Sequence, residues 1–221
     1  ALVRWHHPTR GLLYPGSFIP VAEEGGLIVR LGESVLEEAC RFANRLRAAG
    51  IKGRILSVNV SAVQLQQGDF VQSVLNCLRR NGVARGDIML ELTESALIDN
   101  LAIAADTLRA LRMEGVPICL DDFGTGYSSL TYLKELPLDL LKLDRSFIAD
   151  LGAPDAGGNL SGDIIRVAHR LGIPVVGEGV ETPLQKETLE ILKCDMIQGY
   201  LTGRPMPEAD VFALEHRMAQ A

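Results

Sequence analysis

The sequence carries two adjacent carboxylates, Asp121 and Asp122, between an apolar segment at 116–120 and a glycine-rich segment at 124–129. The apolar segment predicts a buried strand, so both carboxylates lie where that strand ends. Two like charges side by side are costly to desolvate unless a cation offsets them. A divalent metal ion is the simplest such cation, and all-oxygen ligands favour Mg²⁺, Mn²⁺ or Ca²⁺ over zinc.

Other predicted strands end with polar side chains in the same way. The residues at these ends are Asn59, Glu91, Asp121 with Asp122, Lys142 with Asp144, Glu178 and Gln198. Each one alone has a structural explanation, such as a turn cap or a local ion pair. In a barrel of parallel strands, however, the carboxyl ends of the strands form one ring, and catalytic groups lie there. The recurrence over six successive strands therefore indicates a functional site.

The types of these residues suggest a phosphodiester displacement. The candidate oxygen ligands are Asn59, Glu91, Asp121, Asp122 and Glu178. Together they could hold two divalent cations, which stabilise the attacking and the leaving oxygen of such a reaction. Lys142 would orient a water molecule or stabilise charge that develops on the phosphate. The neighbouring carboxylates keep Lys142 protonated, so it is not expected to act as a free general base.

Glu94 lies three residues after Glu91. It could accept hydrogen bonds from the segment 124–129 and so fix the shape of that loop. The alternative is an exposed acid at the start of a helix, where the helix dipole favours negative charge.

The elements that must position these residues alternate between strand and helix. Predicted strands lie at 1–5, 55–60, 88–93, 116–120, 140–144, 174–178 and 196–200, and predicted helices at 35–46, 70–78, 101–111, 162–170, 184–192 and 208–221. Nearly continuous apolar strands are typical of parallel sheets that helices cover. Seven strands, with one missing upstream, fit a (β/α)₈ barrel that is incomplete as given, with a doubly wound open sheet as the alternative. The stretch 6–20 is expected to be a connection.

The composition limits the possible partners. The chain has 221 residues, a net charge of −6 and 47% hydrophobic residues. This charge argues against binding to a nucleic-acid polymer or an acidic membrane surface. The four cysteines form no Cys-x-x-Cys pair, which indicates a reducing compartment. No signal peptide or membrane-length apolar segment is expected, so we predict a cytoplasmic domain, or the cytoplasmic part of a membrane-anchored sensor.

Eight short motifs in order resemble the EAL-domain phosphodiesterases of bacterial cyclic di-GMP signalling. They include residues 1–5 (ALVRW), 18–20 (FIP), 59–61 (NVS), 91–95 (ELTES), 121–129 (DDFGTGYSS), 142–147 (KLDRSF), 178–182 (EGVET) and 198–200 (QGY). The resemblance implies a modified (β/α)₈ barrel that hydrolyses cyclic di-GMP to linear pGpG with Mg²⁺ or Mn²⁺, while Ca²⁺ inhibits.

The resemblance also implies roles for individual residues. It implies that Asn59, Glu91, Asp121, Asp122 and Glu178 bind the metal and that Lys142, Glu178 and Asp122 have catalytic roles. Substrate contacts are implied for Arg4, Leu2, Asp144, Gln198 and Glu181. Glu94 is implied to hold the glycine-rich loop.

The family pattern further implies a larger context. We expect residues 1–221 to be a single EAL domain, N-terminally truncated, in a multidomain protein with an upstream sensor or GGDEF-type domain. A homodimer is also expected. The resemblance places a metal-ligating glutamate directly before Ala1 and the first strand and helix of the modified barrel before that glutamate. A chain that begins at Ala1 is therefore expected to be poorly soluble or inactive.

Three other interpretations account for part of the pattern. A non-catalytic cyclic di-GMP receptor would share the fold, but such domains usually lose parts of the motifs at 91–94 and 121–129. An enolase-like barrel would leave Asp122 and Glu178 without a role. Dinucleotide cofactor binding through Gly124 and Gly126 lacks the third glycine, because Ser129 stands there.

Overall fold

The computed structural model describes residues 1–97, 101–124, 130–149, 151 and 160–218. The strands are β1 (Trp5–His7), β2 (Gly11–Leu13), β3 (Leu56–Asn59), β4 (Ile88–Thr93), β5 (Ile118–Phe123), β6 (Leu140–Leu143), β7 (Val175–Glu178) and β8 (Met196–Gln198). The α-helices are α1 (Ile19–Glu24), α2 (Ile28–Ala48), α3 (Ala62–Leu65), α4 (Phe70–Arg80), α5 (Leu101–Met113), α6 (Leu130–Glu135), α7 (Arg145–Ala149), α8 (Leu160–Arg170), α9 (Pro183–Ile191) and α10 (Glu208–Met218).

Strands β3 to β8 form one sheet in sequence order. The pairs β5–β6, β6–β7 and β7–β8 are parallel. Parallel neighbours that follow in sequence need a helical crossover, which explains the strand–helix alternation. The six strands predicted within 55–200 are thus confirmed, and β4 has the predicted bounds.

The prediction for the first twenty residues was wrong. Instead of a strand at 1–5 and a connection, β1 and β2 form an antiparallel hairpin, in a sheet separate from β3–β8. Trp5 and Leu12 are exposed, so this hairpin lacks the buried apolar face by which strands are recognised in sequence. The short helices α1, α3, α6 and α7 were not predicted either, because four to six residues show too little periodicity.

The described residues form two compact units, one within Ala1–Leu90 and Pro205–Ala221 and the other within Glu91–Arg204. In the first unit, α2 and α4 bury apolar faces at helical spacing. These faces comprise Leu36, Ala39, Cys40, Ala43 and Leu46 on α2 and Phe70, Val74, Leu75, Cys77 and Leu78 on α4. In the second unit, the strands supply fully buried side chains, including Ile118, Leu120, Leu141 and Leu143.

None of the described helices combines the length and the hydropathy that a membrane-spanning helix needs.

Candidate active site

Lys142 lies at the centre of a group of carboxylates in the second unit. Its Nζ is 2.7 Å from Glu178, 2.9 Å from Asp121 and 3.4 Å from Glu91. These partners come from three different strands, β7, β5 and β4. The neighbours of Lys142 in β6, Leu141 and Leu143, are fully buried on the opposite face, since side chains alternate along a strand. The sequence predicted this juxtaposition, and the structure brings these four residues together.

The lysine remains charged in this setting. Burial alone would lower the pKa of Lys142, but the charges of Glu91 and Asp121 and the hydrogen bond to Glu178 raise that pKa above its ordinary value. A protonated ammonium can stabilise negative charge but cannot accept a proton. This agrees with the expectation that Lys142 is not a general base.

The adjacent carboxylates reach the same side of the sheet because the strand is irregular there. The register of β5 against β6 shifts by one residue between Leu120 and Phe123, as in a β-bulge. Asp122 has φ 52°, in the left-handed region that non-glycine residues rarely adopt. In a regular strand, Asp121 and Asp122 would point to opposite faces. Their convergence therefore depends on the bulge, as is common next to active sites.

Asp121, Asp122 and Glu178 form a group that could hold a metal ion. One carboxylate oxygen of each residue lies within 4.8 Å of the others. Burial raises the pKa of Asp122 and of Glu178, with neighbouring carboxylates contributing in both cases and Lys142 opposing the shift. Mg²⁺ and Mn²⁺ prefer oxygen donors such as carboxylates, and a bound cation would offset the repulsion within this partly buried group. The donor set therefore fits a divalent cation.

Glu94 is buried next to the first residue of the glycine-rich segment. Its Oε2 accepts a hydrogen bond of 3.2 Å from the Gly124 backbone nitrogen. Gly124 has φ 103°, and a Cβ there would overlap with the ring of Phe147, so only glycine fits. The predicted contact of Glu94 with the loop reaches Gly124, whereas residues 125–129 lie outside the described residues.

Three predicted substrate contacts lie on or after strands of the second unit. Gln198 ends β8 and pairs in register with Glu178 on β7. Asp144 follows β6, and its Oδ1 accepts a hydrogen bond of 2.9 Å from the Ser146 nitrogen. Glu181 precedes α9, where the Thr182 hydroxyl and the Gln185 side chain form a reciprocal capping box. Asp144 and Glu181 follow the strands that carry Lys142 and Glu178, and Gln198 lies on the strand next to Glu178. The substrate roles of these three residues stay predictions.

Gly199 fixes how β8 ends. The Val180 nitrogen donates to Gln198 and the Val180 oxygen accepts from Leu201, at 3.1 and 3.0 Å, so the Val180 backbone lies across Gly199. A Cβ at Gly199 would overlap with that backbone. We expect Gly199→Ala to lower the free energy of unfolding by about 3 kcal/mol, since backbone cannot yield as a side chain can. Urea unfolding measures this loss.

Gly86→Ala is the matched control, because a Cβ at Gly86 meets no atom within 4 Å. Equal unfolding free energies for the two variants would contradict the steric role of Gly199.

Three other predicted site residues belong to the first unit. Asn59 ends β3, two residues before Ser61, which forms a capping box with Gln64 at the start of α3. Arg4 donates to the Val3 oxygen at 2.8 Å, and its guanidinium lies 4.8 Å from the centre of the Tyr14 ring. Leu2 is exposed. Tyr14 was missed by sequence reasoning, because nothing in the stretch 6–20 signals a ring that orients Arg4.

Comparisons with known proteins assign the chain to a family. The family model of the EAL domain matches residues 1–205. The chain is 43% identical over 96% of its length to the bifunctional diguanylate cyclase/cyclic di-GMP phosphodiesterase MucR of Pseudomonas aeruginosa. It is 46% identical over 95% of its length to the cyclic di-GMP phosphodiesterase NbdA of the same organism. It spans only 31% of MucR and 27% of NbdA.

The fold is likewise shared with a solved structure. The PaMucR phosphodiesterase, determined as a c-di-GMP complex, matches with a TM-score of 0.89 and 43% identity, over 96% of this chain and 85% of that one. This likeness confirms the predicted α/β fold class, a modified (β/α)₈ barrel.

Proposed function

The chain belongs to the EAL domain family, and we propose that it is a metal-dependent phosphodiesterase that hydrolyses cyclic di-GMP to linear pGpG. The observation that carries this proposal is the contact of Lys142 with carboxylates from three strands. The names of MucR and NbdA, which describe cyclic di-GMP phosphodiesterases, support the choice of substrate.

The proposed metal ligands are the carboxylates of the cluster together with one amide. Glu91, Asp121, Asp122 and Glu178 would hold Mg²⁺ or Mn²⁺, with Asn59 as a further ligand. The close approach of Asp121, Asp122 and Glu178 supports this assignment. When bound, such ions activate water as a nucleophile and offset the charge of a phosphodiester in its transition state. Two ions fit a set of this many oxygen donors.

The part of Lys142 in this reaction follows from its charge. A buried ammonium held by three carboxylates is fixed in place before substrate arrives, so it needs no reorganisation during the reaction. It would stabilise the negative charge that grows on the phosphate oxygens. Gln198, Glu181, Asp144, Arg4 and Leu2 are proposed to bind and orient the dinucleotide, and Glu94 is proposed to hold the glycine-rich loop through Gly124.

Metal removal tests the proposal. We expect the full-length protein to lose hydrolysis of cyclic di-GMP in EDTA and to regain it with Mg²⁺ or Mn²⁺, because the carboxylates need divalent cations to hold substrate. Ca²⁺ should inhibit, since its longer bonds and looser geometry displace the reacting groups. Chromatography of the pGpG product measures each condition. Equal turnover in EDTA and in Mn²⁺ would contradict a metal-dependent mechanism.

The larger assembly is also a proposal. We propose that the chain is one EAL domain of a longer cytoplasmic signalling protein that carries a sensor or GGDEF-type domain and forms a homodimer. The small share of MucR and NbdA that the chain spans supports a multidomain context. Light scattering of the full-length protein measures its oligomeric state.

A further inference from the structure

Helix α7 begins two residues after β6, the strand that carries Lys142, and it is attached to the ends of two strands. Asp144 Oδ1 accepts a hydrogen bond of 2.9 Å from the Ser146 nitrogen, and the Asp144 backbone oxygen accepts one of 3.0 Å from the Phe147 nitrogen. The Asp144 nitrogen donates to the Phe123 oxygen at 3.4 Å, which ties the start of the helix to the end of β5. The position of α7 is therefore coupled to the strand that carries the lysine and to the strand that carries the carboxylate pair.

The ring of Phe147 in α7 lies against Gly124, two residues after Asp122. A Cβ at Gly124 would overlap with the ring atoms Cε2 and Cζ of Phe147. The Gly124 nitrogen donates to Glu94 Oε2 at 3.2 Å, so two side chains hold this glycine in place. Asp122 has φ 52°, and a strained backbone conformation of this kind persists only where the surrounding structure enforces it. The contacts at Gly124 fix the backbone that follows Asp122.

The same helix also contacts the two glycines that flank Glu178. A Cβ at Gly179 would lie 2.5 Å from the Cβ of Arg145, and a Cβ at Gly177 would lie 3.5 Å from Ile148 Cδ1. Ile148 is fully buried, so this contact belongs to the core. The backbone on both sides of Glu178 is therefore packed on α7. One short helix thus contacts the backbone next to the carboxylates of β5 and of β7.

A buried serine holds α7 from the side of α8. Ser161 Oγ donates to the Phe147 backbone oxygen at 2.8 Å, and only 4% of Ser161 is exposed. A helix of five residues is not stable by itself in water, so its place in the structure is set by such tertiary contacts.

We propose that α7 sets the distance between Asp122 and Glu178, and that Phe147 is the positioning residue through which it acts on Asp122. One oxygen of each of Asp121, Asp122 and Glu178 lies within 4.8 Å of the others, so a small displacement of either strand end would separate them. Without the ring of Phe147, the backbone at 122–124 can relax and turn the Asp122 carboxylate away from Glu178. This proposal rests on the metal site of the proposed function, and it adds a residue that acts through the backbone rather than as a ligand.

The affinity for Mn²⁺ tests this role. Phe147→Ala should weaken the binding of Mn²⁺ to the full-length protein by about tenfold or more, as is usual when a group that orients a metal ligand is removed. Phe42→Ala is the matched control, because Phe42 is also half-buried and packs edge-to-face on Phe212 in the first unit. It loses the same ring and should leave the Mn²⁺ affinity unaltered. Electron paramagnetic resonance of free Mn²⁺ gives the affinities, at a temperature at which circular dichroism shows each variant folded.

Two further substitutions separate the reach of the ring from its volume. Methionine and leucine can replace each other with little change of volume, but the unbranched methionine side chain extends further. Only methionine reaches the place of the ring atoms over Gly124. Phe147→Met should therefore keep the Mn²⁺ affinity within about threefold of the wild type, while Phe147→Leu should weaken it about as much as Phe147→Ala does.

Hydrogen exchange of the metal-free protein gives a readout that needs no cation. The Gly124 amide should exchange about tenfold faster in Phe147→Ala than in the wild type, because the ring no longer holds it against Glu94. Unaltered Mn²⁺ affinity in Phe147→Ala, an unaltered exchange rate, or equal affinities of Phe147→Met and Phe147→Leu would overturn the role of Phe147.

Hydrolysis is a separate readout. A wild type that binds Mn²⁺ without hydrolysing cyclic di-GMP would refute the proposed function, while the affinities of the variants would still decide the role of Phe147. A wild type that binds no Mn²⁺ would overturn both.

Discussion

Replacing Lys142 by alanine is expected to lower the turnover of cyclic di-GMP by about 10²-fold or more, while substrate still binds. The ammonium is held by Glu91, Asp121 and Glu178, so its charge is already in place where negative charge would develop. An interaction that strengthens in the transition state lowers kcat more than it lowers substrate affinity.

The same substitution has a second effect, on stability. Removing Lys142 leaves three largely buried carboxylates without their shared cation, which costs about 3–5 kcal/mol in the metal-free protein. Thermal melting with and without Mn²⁺ separates this cost from catalysis, because a divalent cation offsets the same charges. Lys186→Ala is the control, since Lys186 is exposed and pairs only with Glu190 among the described residues. Loss of substrate binding with normal turnover per bound substrate would refute the proposed role.

Asp122→Gly is expected to abolish most of the turnover without destabilising the protein. A non-glycine residue in the left-handed region costs about 1–2 kcal/mol, whereas glycine costs about 0.5–1 kcal/mol in additional backbone entropy. Asp122 also lies beside Asp121, and removing one of two like charges favours folding. We therefore expect the free energy of unfolding to rise by about 1 kcal/mol and the turnover to fall by about 10²-fold or more.

Two controls separate the backbone from the carboxylate. Asp122→Asn keeps the side-chain shape but loses the charge, so its turnover should fall as far as that of the glycine variant. Lys193 is the other described non-glycine residue with positive φ, at 63°. Lys193→Gly should therefore relieve backbone strain with no effect on turnover. Chemical unfolding and pGpG release give both quantities for each variant, and full activity of Asp122→Gly would remove Asp122 from the site.

The sequence allowed most of the fold to be predicted, because the strands that position the site are buried on both faces. The segment 88–93, for example, is apolar except for Glu91 and Thr93, and a nearly continuous apolar run of this kind predicts a buried strand from the sequence alone. The hairpin of β1 and β2 could not be recognised, since its pairing depends on exposed residues and on Gly11, which begins β2 with φ 73°. Short helices such as α7 depend on tertiary packing, which periodicity does not report.

The composition of the site could be predicted from strand ends, but its geometry could not. Glu91, Lys142 and Glu178 fall where a regular strand would put them. The bulge at Asp121 and Asp122 is different, because adjacency in a regular strand predicts opposite faces. The stacking of Arg4 on Tyr14 depends on an irregular segment and has no sequence signal. What the sequence leaves out is the irregular backbone that brings neighbouring groups together.

The contacts of Lys142 also bear on the order in which ligands bind. When ionised, Glu91, Asp121, Asp122 and Glu178 carry four negative charges, which are three more than the single positive charge of Lys142 offsets. A dinucleotide with two phosphate charges would be repelled by this surplus until cations had offset it. Cations should therefore add before substrate. The apparent affinity for cyclic di-GMP should then rise with the concentration of Mn²⁺ even in a variant that cannot turn the substrate over.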